Sequence, residues 1–154
     1  MCLKKRVKKL RKIGVKKMSE KTATEQQFNY LNEKPGVQLI KAGTYAMKEI
    51  SPMLDQPGLK SQIIDVPVCT NENAIQMGYF SMQPSEDLEY TYTFLEIKVI
   101  VNGKIVVRDD QGKKYVGEAG DVFIFSPETT VIFDGTSDGD AIYTAHRLPE
   151  PSFM

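Results

Sequence analysis

The chain contains a single histidine, His146, among 154 residues. One imidazole cannot build a metal centre that needs several. Cysteine is nearly as scarce. Cys2 and Cys69 form no C-x-x-C pair and suggest no disulfide framework, which fits a reducing cytosol. Cys69 reads as a small buried hydrophobe. No apolar run approaches the length needed to cross a bilayer as a helix. There is no G-x-x-x-x-G-K-[ST] loop and no other glycine-rich cradle for phosphates. Internal repeats are absent.

Acidic residues are missing from the N-terminal stretch, which is strongly basic. Residues 1–17 hold nine of the 20 basic residues and no acid, while the rest carries 11 basic against 20 acidic ones. The body is therefore acidic and nucleic acid is not its expected partner. In the leader, Leu3, Val7, Leu10 and Ile13 recur at near-helical spacing between the cations. Such a helix suits an anionic membrane surface or RNA. It is no secretory signal, because no apolar core follows the charges. A second reading makes the leader a mis-assigned start. Met18-Ser19-Glu20-Lys21 reads as an ordinary cytosolic beginning, and Gly14-Val15 can encode a ribosome-binding element.

What is present is the composition of one globular domain, 41% hydrophobic and 26% charged. Three segments are expected: the leader 1–17, a helix and arm over 18–36, and a β-barrel over 37–154. The helix draws on polar helix formers in 20–32, with Phe28 and Leu31 on one face and Thr24 as its cap. Pro35-Gly36 ends it. Afterwards the chain reads as strands and turns. Val37 to Ile40 is a short apolar run, and Gly43, Pro52, Pro57 and Gly58 mark a loop-rich stretch. Ile63 to Val68 and Ile75 to Met82 follow. Leu95 to Val101 and Lys104 to Val107 flank Asn102-Gly103, which predicts a type I′ hairpin. Lys114 to Val116, Asp121 to Phe125, Thr129 to Phe133 and Ala141 to Thr144 complete the series. Gly112, Gly117, Gly120, Asp134-Gly135 and Asp138-Gly139 separate them. Short strands at this spacing indicate a sandwich or closed barrel.

Tyr90, Tyr92, Phe94 and Glu96 share strand parity and should face one side. Glu96 interrupts an apolar run, so it is either paired with Lys98 on a solvated face or held in an interior as an acceptor or base. Tyr90 and Tyr92 read as aromatic packing in a barrel mouth or as ligand contacts. His146 reads as a structural or surface residue, or as a proton shuttle if it faces inward.

Two segments, about a third of the chain, resemble the two cupin motifs. Tyr90-Thr91-Tyr92, Glu96 and Gly103 keep the spacing of the first, with tyrosines where cupins carry histidines. Gly120-Asp121-Val122-Phe123-Ile124-Phe125-Ser126-Pro127 resembles the second, with its proline one position late and Val131 near the place of its histidine. With the ending Ile142-Tyr143-Thr144-Ala145-His146-Arg147, these pieces are similar to the ethanolamine-utilisation, EutQ-like cupins. The resemblance implies an all-β fold, the cupin double-stranded β-helix or jelly-roll barrel, with a short N-terminal helix and a homodimer. It also implies loss of the metal tetrad. Tyrosine titrates near about 10 and ligates divalent ions poorly at neutral pH, so no metal and no other cofactor is expected.

The ligand contacts expected are Tyr79, Tyr90, Tyr92, Phe94 and Phe125, and the acid–base candidates are Glu96, Tyr92 and His146. The leading function is a metal-free binder or accessory protein for a small molecule in an ethanolamine-type pathway. The resemblance also implies an acetate-kinase-like activity with Mg²⁺ on carboxylates. The family's acidic positions after the tyrosine are Thr93 and Phe94 here, which weighs against it. The remaining readings are an isomerase or lyase and an interaction protein recruited to a shell or membrane through residues 1–17. The expected location is the cytosol or a bacterial microcompartment.

Overall fold

The computed structural model describes residues 30–31, 35–69 and 74–154. The leader 1–17 lies outside them, as does the helix expected over 20–32 apart from Tyr30 and Leu31. Nine strands follow in order: β1 (Lys48–Glu49), β2 (Ser61–Val66), β3 (Gln76–Met82), β4 (Leu88–Tyr92), β5 (Glu96–Arg108), β6 (Lys114–Glu118), β7 (Val122–Phe125), β8 (Thr129–Phe133) and β9 (Asp138–Ala145). A four-residue helix, α1 (Ser51–Leu54), follows β1, and a 3-10 turn at Pro151–Phe153 closes the chain. All pairings are antiparallel. The order is β1-β2-β3-β9-β5-β8-β4, with β6 and β7 also on β5.

Strand β5 organises the barrel. Its first half pairs with β9 on one side and β7 on the other. Its second half pairs with β6 and, at Val107 and Arg108, with β8. A register shift between Ile100 and Asn102 inserts one residue against β9. Such a bulge bends a strand and reverses which parity faces inward. The burial follows: Glu96, Lys98 and Ile100 are buried before it, Ile105 and Val107 after it. Inward residues from β3, β8 and β9, among them Phe80, Met82, Phe133 and Tyr143, complete one core.

The hairpin expected at Asn102-Gly103 is not formed. Strand β5 continues through the dipeptide, because β9 supplies partners for Asn102, Gly103 and Lys104 just past the bulge. A type I′ turn needs two left-handed residues, and here only Gly103 has positive φ, at 63°. A Cβ at Gly103 would lie 2.1 Å from the Asp138 carbonyl oxygen. Asp138-Gly139, expected as a separator, opens β9, with Gly139 facing Gly103. Two further expectations are corrected. Val37 to Ile40 forms no strand, and Val37 and Leu39 are 99% and 76% exposed. The stretch expected as loop holds α1, where Pro52 in the first turn suits the fixed proline φ.

Candidate functional site

Tyr90 and Tyr92 alternate inward on β4, which pairs with β8. The chain leaves β4 at Tyr92, turns, and enters β5 at Glu96. The common facing expected for Tyr90, Tyr92, Phe94 and Glu96 is therefore reached across a corner, not along one strand. Glu128, at φ 64°, donates its N–H to the Tyr92 carbonyl at 2.7 Å and secures that corner.

Inside, three polar side chains share one oxygen. The Tyr92 hydroxyl donates to Glu96 Oε1 at 3.1 Å. Lys98 Nζ lies 3.1 Å from the same Oε1. Glu96 and Lys98 are only 4% and 3% exposed. The ammonium also lies over aromatic rings, 4.2 Å from the Phe80 centroid, 4.9 Å from Tyr143 and 5.2 Å from Phe133. The partner for Glu96 is thus Lys98, but in a desolvated cage instead of on a solvated face. Burial, then the charge and hydrogen bond of Glu96, push the Tyr92 hydroxyl well above its ordinary range. At neutral pH it is a donor and not a phenolate.

A second buried pair closes the rim. Arg147 grips Asp65 with two bonds, Nη1 to Oδ2 at 2.5 Å and Nη2 to Oδ1 at 2.9 Å. Asp65 also accepts from the Tyr143 hydroxyl at 2.6 Å and the Glu150 N–H at 2.7 Å. Burial opposes the guanidinium charge, and Asp65 more than offsets this, so Arg147 stays above its ordinary value. Tyr143 is pushed far up by burial and then by the Asp65 charge. Arg147 stacks over Phe94 and Phe153, with its Cζ 5.0 and 5.7 Å from the centroids.

Between these groups lies a cavity of about 80 Å³, walled by Tyr90, Tyr92, Glu96, Lys98, Phe80 and their apolar neighbours. It adjoins an outer vestibule of about 490 Å³ that includes Phe94 and Glu150. Tyr90, Arg147, Phe153 and the α1 residues Met53 and Leu54 line both. Burial raises the Tyr90 hydroxyl, with Arg147 partly opposing. Phe125 stands one layer back, its ring stacked on Tyr92 at 4.4 Å.

Two expected site residues lie elsewhere. Tyr79 alternates with inward Phe80 on β3 and so faces out. His146 follows inward Ala145 and sits with Ile75, Leu95 and Ile97 in a separate outer groove. Period-two alternation removes both from the lumen. Lys98, Asp65 and Arg147 belong to the lumen and its rim, and sequence reasoning did not place them there. Asp65 carried a usable signal: a carboxylate inside Ile63-Ile64-Asp65-Val66, the same pattern that singled out Glu96. Arg147 carried none.

The donor set does not fit a cupin metal. Tyrosines stand in the histidine positions, and Lys98 and Tyr92 already engage the Glu96 carboxylate. Among the described residues no three His, Cys, Asp or Glu side chains converge.

The profile of the ethanolamine utilisation protein EutQ family matches residues 3–148. No curated protein matches the chain. Among solved structures, the EutQ protein of Clostridium difficile aligns with TM-score 0.53 and 17% identity, over 62% of this chain and 66% of that one. The chain thus spans just under two thirds of that protein. KdgF from Halomonas sp. aligns with TM-score 0.56 and 13% identity, over 77% of this chain and all of that one. An RmlC-like cupin from Shewanella frigidimarina aligns with TM-score 0.51 and 19% identity, over 75% and 94%. At these identities the structures speak for the fold alone, and the fold is the cupin barrel. The profile match covers nearly the whole sequence, and the chain belongs to the EutQ family of ethanolamine utilisation proteins.

Proposed function

We propose that this chain binds a small polar molecule in its lumen without a metal, as a binding or accessory protein of an ethanolamine-type pathway. The observation that carries this reading is the Tyr92–Glu96–Lys98 cluster on the wall of a small apolar cavity. Apolar walls with a few convergent polar groups suit a small ligand. A cavity of about 80 Å³ has room for about five water-sized groups. Thermal melts against a panel of small amines, alcohols, acids and carbonyls test the reading. At least one compound should raise the melting temperature of the wild type, and Tyr92→Phe and Glu96→Gln should lose that rise. A panel that shifts nothing contradicts it.

One observation favours a second reading. Tyr92 hydrogen-bonded to Glu96 is an acid–base couple aimed into a cavity, as an isomerase or lyase would require. Turnover abolished by Glu96→Gln would favour it over simple binding. Homodimerisation is proposed through the outer face of β5 and its edge neighbour β7, where Ile97, Val122 and Ile124 are exposed. Association with a microcompartment shell through residues 1–17 is testable by co-sedimentation, which their deletion should abolish.

A further inference from the structure

Lys98 is a primary amine at the wall of a small, largely apolar cavity, and a primary amine has a reaction of its own. Its Nζ lies 3.1 Å from Glu96 Oε1, and the Tyr92 hydroxyl donates to that same oxygen at 3.1 Å. Amine, carboxylate and phenol are thus linked through one atom that can take a proton from the amine and return it. Arg147 has no such freedom, since Asp65 holds its guanidinium at both ends.

We propose that Lys98 forms a protonated imine with a small aldehyde or ketone admitted to the lumen, an inference that rests on the small-molecule reading above. The ammonium gives one proton to Glu96. The freed nitrogen pair attacks the carbonyl carbon, and the π pair moves onto oxygen. A proton passes from nitrogen to that oxygen and leaves a carbinolamine. Glu96 then protonates the hydroxyl, the C–O bond breaks and water departs. The nitrogen pair closes the C=N bond, which leaves an iminium beside a carboxylate. No oxidant or reductant is consumed.

The surroundings favour this product over free amine and carbonyl. An iminium keeps the positive charge in place, so the rings of Phe80, Tyr143 and Phe133 and the Glu96 carboxylate stabilise it as they do the ammonium. Apolar walls keep the water concentration low and slow hydrolysis. The cavity volume limits the partner to a few heavy atoms beyond the reacting carbon.

The test uses the full chain with propanal and sodium cyanoborohydride, which reduces an imine to a stable secondary amine. Peptide mass spectrometry then gives a rate for each lysine. Lys98 should be alkylated about tenfold faster than any exposed lysine. Glu96→Gln should slow Lys98 by about 100-fold and leave exposed lysines unchanged. Lys98→Arg should remove the fast phase and keep the buried cation. Propanal is also titrated without reductant and followed by amide NMR shifts. Lumen shifts with Lys98 reacting no faster than exposed lysines would overturn the covalent step and leave reversible binding standing. Neither shifts from propanal nor melting shifts across the wider panel would overturn the binding reading as well. A Glu96→Gln variant that reacts at the wild-type rate would overturn the role given to Glu96.

Discussion

At the residue scale the lumen is built from charges that would be costly alone. Burying an ion pair gains little net stability, but removing one partner strands the other. Lys98→Met should therefore destabilise the fold by about 3–5 kcal/mol in urea melts. The double variant Lys98→Met/Glu96→Gln should recover most of that loss, because no charge is left unpaired. A double variant no better than the single one would contradict the pairing. The tyrosines set a pH limit. Burial first, then the charges of Glu96 and Asp65, raise Tyr92 and Tyr143 above their ordinary value. Unfolded tyrosine titrates near about 10. Above that pH the unfolded chain releases protons that the folded chain keeps, so stability is complete below about pH 10 and falls as pH rises beyond it. Urea melts at about pH 9 and pH 11 should differ in that direction, and equal midpoints would contradict it. Glu96 was readable in the sequence because a carboxylate amid Phe94–Val101 is conspicuous. The role of Lys98 was not, since a lysine two residues away fits a wet face as well as a dry one. Only the rings delivered by β3, β8 and β9 decide between them.

At the element scale β5 governs where the lumen groups point. Its bulge lets one 13-residue strand serve both halves of the barrel. Gly103→Ala should cost about 3 kcal/mol or more, since a left-handed residue gains a Cβ against the Asp138 carbonyl. Guanidinium melts would measure it, and a loss below about 1 kcal/mol would contradict the strained geometry. Most strands were readable from alternation and turn residues, including β3, β7 and β8. The hairpin at Asn102-Gly103 was misread for a physical reason. Asn-Gly is a local signal for a turn, and a glycine at positive φ serves a bulge equally well. The choice rested on Gly139, which comes opposite Gly103 only once β9 is in place. Helix α1 was hidden by Pro52, which breaks a helix interior but starts a helix well. His146 and Tyr79 were misplaced because strand phase depends on neighbouring strands, and the sequence offered only residue types.

At the scale of the whole molecule, the barrel has a lumen closed by α1 and the C-terminal turn, and an outer face of exposed aliphatics. If that face is the dimer interface, light scattering should find a dimer in the wild type and a monomer in Ile124→Asp. A monomeric wild type would contradict the pairing. The barrel fold was readable as a whole because tyrosines replaced histidines without disturbing Glu96, Gly103 or Gly120-Asp121. The ligand was not, because the lumen is lined by residues from five strands, α1 and the C-terminal segment that meet only on folding. The central claim is that the Tyr92–Glu96–Lys98 lumen holds a small molecule with no metal. Amide NMR of the full chain in excess chelator, titrated with the small-molecule panel, tests it most directly. The account predicts saturable shifts at Tyr92, Glu96 and Lys98 that Glu96→Gln abolishes. Lumen shifts that appear only on adding a divalent ion, or ligand shifts confined to residues outside the lumen, would contradict it.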